Sequence, residues 1–387
     1  MRVLVASHTY LRRFNQRKWE AFADLSPRHA ALLVVPSGWR DPHFGRVVPE
    51  LPAHPRVRMR VARAVFRGRG SLSSHVDPRL VLAARHFRPD VVLVEQEPHS
   101  LLALQGRWLA RLLAGCPPFT FFTWGGPPHR RRALPLRTLE RGALRAAPLA
   151  FAGNQAARDQ LRASGFRRPV HRIPQVGVDL PDRPELTRRQ VRRELGIPGV
   201  VVGFAGRLIA EKGVLDLADA LSGLGDLDWT FLAIGPGPMA GALKARFQAA
   251  NLAGRLRLVS DAGHHRVGAL LTALDVLVLP SYTTQNWAEQ FGHVLIEAMA
   301  AGCPVAGTDS GEIPHVIGNA GIVVPERDVG QLRAALRRLI EGPGLRAQLA
   351  TRGRDRVQRH YTHDVVARRL ARSLEQVRAY SATRGAP

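Results

Sequence analysis

The chain has 387 residues, 45% apolar and 22% charged, with a formal net charge of +25. That length suits two domains with sizeable cores. Two cysteines, Cys116 and Cys303, exclude a disulfide framework and a zinc site of ordinary spacing. Apolar runs at 2–7 and 31–36 read as strands, and the spacing of Trp19, Phe22 and Ala23 predicts a helix over 16–25. A helix over 78–88 leads to a buried strand at 91–95. The alternation continues with a helix at 99–115, a strand at 119–123, a helix at 133–147 and a strand at 149–152. Asn154 then caps a helix over 155–164.

Pro174, Pro181, Pro184 and Pro198 place the expected domain boundary within 174–199. Beyond it the pattern restarts. Strands are expected at 200–205, 229–234, 256–259, 276–280 and 304–308. Helices are expected at 212–222, 239–250, 266–273, 292–301, 312–317 and 328–340, with a helical tail over 344–380. Strands alternating with helices predict an α/β fold of two Rossmann-like doubly wound domains facing across a cleft. The expected domains are 1–175 and 176–360, with a C-terminal helix over 361–380 packing back on the first. In such sheets a ligand sits beyond the carboxyl ends of the strands, where the strand order reverses.

The charge is unevenly placed. Residues 1–175 hold 30 basic and 10 acidic side chains, against 26 and 21 in 176–387. A basic first half is either a solvated surface or one that attracts anionic lipid, lipid-linked phosphate or acidic glycan. Nucleic acid is not an expected partner, because no binding motif is present and aromatics make up only 6%. The apolar run at the N-terminus is shorter than expected of a signal peptide. No run approaches the ~18 apolar residues of a membrane-spanning helix. The expected location is cytoplasmic, with peripheral contact at the inner membrane face.

Only three of the 56 basic residues are lysines: Lys18, Lys212 and Lys244. The arginine excess looks like codon bias as much as selection for charge, so a lysine stands out. Arg207 and Lys212 flank the glycines Gly206 and Gly213, just past the end of a strand. A planar fork and a point charge converging beside a helix start suit a diphosphate. The alternative is a pair of surface cations. Further on, Glu289 lies in a loop and Glu297 inside the following helix. The free amides around Phe291 and Gly292 favour an anion between them. Such a set suits one long ligand with a sugar, a diphosphate and a ribose.

Several decoys are set aside. The run Ile234-Gly-Pro-Gly-Pro238 has its third glycine one residue too late for a dinucleotide fingerprint and reads as a tight turn. His264 and His265 lack partners at metal-ligand spacing and read as a loop.

Taken together, Gly206-Arg207, Glu211-Lys212-Gly213, Pro280-Ser281, Glu289, Phe291-Gly292, Glu297-Ala298 and Gly302-Cys-Pro-Val305 resemble the retaining glycosyltransferases of family 4. The likeness is close over 200–360. It implies the GT-B fold, with 1–175 binding the acceptor and 176–360 the nucleotide-sugar. Two glutamates separated by seven residues, here Glu289 and Glu297, are that family's motif. The resemblance implies that Arg207 and Lys212 hold the donor diphosphate, Glu289 the sugar and Glu297 the ribose. Catalytic weight falls on Arg207, Lys212 and Glu289, and donor binding also on Gly206, Phe291, Gly292 and Glu297. The segment Asp309-Ser-Gly-Glu-Ile-Pro314 fits the same pattern. One departure is 7–12, which lacks the glycine pair common on the acceptor side.

His8, Glu95, Glu97 and Trp124 follow strands in the first half and are the acceptor-side candidates. The expected activity is transfer of a sugar from a nucleoside diphosphate to an acceptor hydroxyl, with retention, in cell-surface glycan or glycolipid synthesis. The expected partners are a nucleotide-sugar and a glycan or lipid-linked acceptor. No cofactor and no metal are expected. The rivals are a nucleotide-sugar epimerase of the same fold and a non-enzymatic basic binding protein.

Overall fold

A computed structural model describes residues 1–41, 45–65, 74–76, 79–126, 134–182 and 184–383. The chain divides into two units. Unit 1 comprises Met1–Gly177 and His363–Pro387, and unit 2 comprises Val178–Thr362.

Unit 1 runs β1 (Arg2–Ala6), α1 (Arg13–Asp24), β2 (Ala30–Pro36), β3 (Trp39–Asp41), β4 (Gly45–Val47), β5 (Val57–Val65) and β6 (Ser74–Val76). It continues through α2 (Leu80–Phe87), β7 (Val91–Glu95), α3 (Leu101–Leu112), β8 (Phe119–Thr123), α4 (Leu134–Ala146), β9 (Ala150–Ala152), α5 (Gln155–Ala163) and β10 (Val170–Arg172). Its main sheet has the order β10-β9-β8-β7-β1-β2-β5-β6, parallel except for the β5–β6 pair. Period-two alternation sends Val3 and Val5 to one face and Leu4 and Ala6 to the other. Both faces are covered, which is why these strands read as unbroken apolar runs. One cover is α1 together with the helix His363–Thr383, whose Val366, Leu370 and Leu374 join Val3 and Leu33 in one core. The strand order reverses between β7 and β1.

Unit 2 runs α6 (Pro184–Leu195), β11 (Val200–Ala205), α7 (Val214–Ser222), β12 (Trp229–Ile234), α8 (Ala240–Ala249), β13 (Leu256–Val259), α9 (His264–Thr272) and β14 (Val276–Leu279). It continues through α10 (His293–Ala300), β15 (Val305–Thr308), α11 (Ile313–Ile317), β16 (Gly321–Val324), α12 (Val329–Glu341) and α13 (Pro343–His360). The chain then returns to unit 1 as α14 (His363–Thr383). The sheet is parallel throughout, in the order β13-β12-β11-β14-β15-β16. Here the order reverses between β11 and β14. Each unit is thus a Rossmann-like α/β layer structure.

The structure adds detail to two expectations and corrects a third. The proline-rich boundary stretch, where no helix was expected, contains α6. Pro184 is its first residue, a position where a missing N–H costs nothing. Arg188 and Arg192 then clamp α6 to Asp275 at 2.5 Å each. The helical tail is two helices, α13 and α14, parted at Tyr361 and Thr362. His264 and His265 open helix α9 rather than lying in a loop.

Candidate functional site

In unit 2 the two strands flanking the reversal deliver the expected residues. β11 ends at Ala205, and Gly206 and Arg207 follow it directly. A single 3₁₀ turn, Ala210–Lys212, then places Lys212 immediately before α7. From the neighbouring strand β14, the chain passes Pro280 into a loop that carries Glu289 and ends at α10. The Lys212 ammonium meets the Glu289 carboxylate at 2.5 Å. Ser281 Oγ donates to the same oxygen at 2.9 Å. Glu289 is only 8% exposed, and both partners bond the same carboxylate oxygen. Lys212 also sits 5.4 Å over the Trp287 ring, a cation–π contact.

Backbone geometry fixes this meeting. Gly213 has φ +66°, and a side chain there would place its Cβ 1.9 Å from the Pro280 carbonyl oxygen. Only glycine lets the turn after β11 pass so close to the end of β14. Tyr282 N donates to Glu211 O at 2.9 Å, which joins the same two loops. Gly311, at φ +53°, lets the loop after β15 approach the Glu289 carbonyl, which accepts from Glu312 N at 3.0 Å. The Gly-Pro-Gly turn after β12 is a buttress. Leu208 N donates to Pro236 O at 2.8 Å, and Met239 N to Leu208 O at 2.9 Å.

Gly292 is the N-cap of α10, so the helix starts one residue after the expected donor-binding pair Phe291 and Gly292. The Phe291 ring is buried edge-on to Tyr361 at 5.9 Å, which anchors the start of the helix. Glu297 lies in the second turn of α10, half-buried. Desolvation pushes its carboxyl up to about 7, and no described residue offers it a hydrogen bond or ion pair.

In unit 1 the acceptor-side candidates follow β1, β7 and β8. His8 stacks on Trp39 with ring centroids 4.5 Å apart. Burial holds its imidazole below the ordinary range, against the opposing pull of the Glu95 charge. Glu97 accepts from Thr123 Oγ1, and from the Trp124 amide at 3.1 Å. Trp124 Nε1 donates to Gln175 Oε1 at 2.9 Å.

Glu95 has a different setting, at 3% exposed. It accepts from Tyr10 Oη at 2.6 Å, from Lys18 Nζ at 2.9 Å and from Gln175 Nε2 at 2.9 Å. Three of the roughly four acceptor positions of its carboxylate are thus taken within the fold. A chain of hydrogen bonds therefore runs from Lys18 through Glu95 and Gln175 to the Trp124 indole.

Sequence reasoning gave no separate role to Ser281, Trp287, Gln175 or Tyr10. It noted Lys18 without giving it a role, although the scarcity of lysine that singled out Lys212 applies equally to Lys18.

Residues 187–356 match the family model described as Glycosyl transferases group 1. Unit 2 is thus similar to a glycosyl transferases group 1 domain. Lys212, Glu289 and Glu297 all lie inside the matched range. A 2-deoxystreptamine glucosyltransferase of Streptomyces kanamyceticus is 28% identical over 349 residues, spanning 84% of this chain and 88% of the relative. A 2-deoxystreptamine N-acetyl-D-glucosaminyltransferase of Streptomyces fradiae is 35% identical over 161 residues, but the match spans only 40% of this chain and 37% of that relative. Among solved structures, Anabaena HepE in complex with UDP superposes with a TM-score of 0.71 at 17% identity. That match covers 97% of this chain and 99% of HepE. The fold is that of the GT-B glycosyltransferases.

Proposed function

We propose that this chain is a retaining glycosyltransferase that moves a hexose from a nucleoside diphosphate to an acceptor hydroxyl. The observation that carries this reading is the Lys212–Glu289 pair, held where the strand order of unit 2 reverses, with Arg207 beyond the adjacent strand end. Arg207 and Lys212 supply positive charge for the leaving diphosphate, and the amides at Phe291 and Gly292 add to it. Preorganised donors of this kind act on charge that develops in the transition state. Glu289 holds sugar hydroxyls, and Glu297 the ribose.

The acceptor oxygen attacks the anomeric carbon on the face from which the diphosphate departs. The bond from that carbon to the phosphate oxygen breaks with its electron pair. The acceptor proton passes to the departing diphosphate, and the configuration is retained. His8, Glu97 and Trp124 contact the acceptor, while Glu95 holds Gln175 and so orients Trp124.

The acceptor class we assign is a glycan or lipid-linked alcohol in cell-surface glycan or glycolipid synthesis. Phosphatidyl-myo-inositol mannosyltransferase of Mycolicibacterium smegmatis, 36% identical over 134 residues, supports a lipid-linked acceptor. No helix among the described residues is long and apolar enough to cross a membrane. The excess of arginine in residues 1–175 supports peripheral contact with an anionic surface from the cytoplasmic side. Release of nucleoside diphosphate from UDP-, GDP- and ADP-sugars, followed with and without candidate alcohols, tests the proposal. Release that no alcohol accelerates, with no glycosylated product, would count against transfer.

A further inference from the structure

The strands of unit 1 begin at the end of the sheet remote from His8, Glu97 and Trp124. There a cavity of about 450 Å³ opens between the starts of β1, β2 and β5. Arg2, Arg28, Arg56 and Arg58 line it around the Phe87 ring, and no carboxylate is among its lining residues. Two of the four guanidiniums are engaged. Arg2 lies over Phe87 at 4.7 Å. Arg56 donates to the Ala23 carbonyl at 2.8 Å and stands 3.7 Å from Asp24. Arg28 and Arg58 are exposed, and no described residue offers their guanidiniums a hydrogen bond or an ion pair. Asp90 accepts the Arg2 backbone N–H at 2.6 Å, and the Glu375 charge also acts on His29 of the lining.

Codon bias scatters arginine over a surface. It does not explain why four of them edge one concavity that holds no acid. Like charges gathered there repel one another until an anion enters, and a concave wall strengthens the field. Guanidinium forks match the oxygens of a phosphate in pairs.

We propose that this cavity binds a phosphate-bearing ligand, a mono- or diphosphate ester gripped by Arg28 and Arg58 with Arg2 and Arg56 behind it. The site shares no residue with the donor site of unit 2. It stands whether or not the transferase reading holds.

The test uses the full chain carrying Arg207→Ala and Lys212→Ala, so that the diphosphate grip of unit 2 is not titrated. Calorimetry measures inorganic pyrophosphate binding, and co-sedimentation measures binding to vesicles containing phosphatidic acid. Arg28→Glu with Arg58→Glu is compared with Arg189→Glu plus Arg193→Glu on the exposed side of α6, an equal change in net charge. Thermal unfolding confirms that each variant folds.

The expected result is saturable pyrophosphate binding that the first pair weakens roughly tenfold or more and the second leaves nearly unchanged. Vesicle binding with the same dependence, without pyrophosphate binding, would also support the site and assign the phosphate to a lipid headgroup. Absence of binding in both arms, or binding that the first pair alters no more than the second, would overturn the proposal.

Discussion

The Lys212 ammonium stands 2.5 Å from Glu289 Oε2, and Ser281 Oγ approaches the same oxygen at 2.9 Å. In the free protein lysine thus neutralises a nearly buried carboxylate. A donor diphosphate would share that ammonium. Lys212→Ala should lower kcat about 10²–10³-fold, the usual loss when one transition-state donor is removed. Lys212→Arg should recover less than about a tenth of the activity, because a planar fork cannot occupy the place of a point charge. Steady-state kinetics on folded variants check both. Wild-type turnover in Lys212→Ala would refute the assignment.

Gly213→Ala tests the backbone approach that creates the pair. A Cβ there would lie 1.9 Å from the Pro280 carbonyl oxygen, at a φ of +66° that side chains rarely adopt. The variant should lose about 3 kcal/mol of stability from strain and displacement. Its activity should fall with it, since Lys212 precedes Gly213 directly. Urea denaturation of the two proteins gives the difference, and an unchanged midpoint would contradict the close approach.

Glu297 supplies a pH dependence. Desolvation raises its carboxyl from 4.5 to about 7. Between those values the folded chain holds a proton that the unfolded chain has released. Its contribution to stability therefore falls as pH rises through this window, then levels off. Glu297→Gln removes that contribution, so stability relative to wild type should shift in favour of the variant across the same window. Ribose hydroxyls donating to Glu297 favour the ionised form. Nucleoside diphosphate binding should then tighten as pH rises through about 7 and release protons, whereas the Gln variant should keep only the part due to the ligand's own terminal phosphate, which ionises near about 6. Calorimetry at roughly pH 6 and pH 8 in buffers of different ionisation enthalpy measures both. Identical pH dependence in the variant would remove Glu297 from the ribose site.

The Lys18–Glu95 pair of unit 1 is 2% and 3% exposed at its two residues. Lys18→Met leaves a buried carboxylate without its cation and should cost about 3–5 kcal/mol. Lys18→Met with Glu95→Gln removes both charges and should cost clearly less. A double-mutant cycle by chemical denaturation measures the coupling. Equal losses in the single and double variants would mean that the ion pair does not organise this region.

Much of this fold was legible because buried parallel strands leave unbroken apolar runs, as at Val91–Glu95 and Phe119–Thr123. β5 was missed although its arginines alternate with apolar residues, since its charged positions hid a period-two signal. Pro184 concealed α6, because proline at a first helical position looks the same in sequence as proline in a linker. The meeting of Lys212 with Glu289 could not be read from residues 77 apart. It follows from β11 and β14 being neighbours, a pairing fixed by the packing of the whole sheet. The setting of Glu95 was likewise hidden, since its partners come from positions 10, 18 and 175.

The most direct test is acceptor-independent hydrolysis. Wild-type chain and Lys212→Ala are each incubated with UDP-, GDP- and ADP-sugars, and nucleoside diphosphate release is followed. The account expects slow release from one donor class by wild type and a loss of about 10²-fold or more in the variant. Release by the variant at the wild-type rate, or no release from any donor by folded wild type, would contradict it.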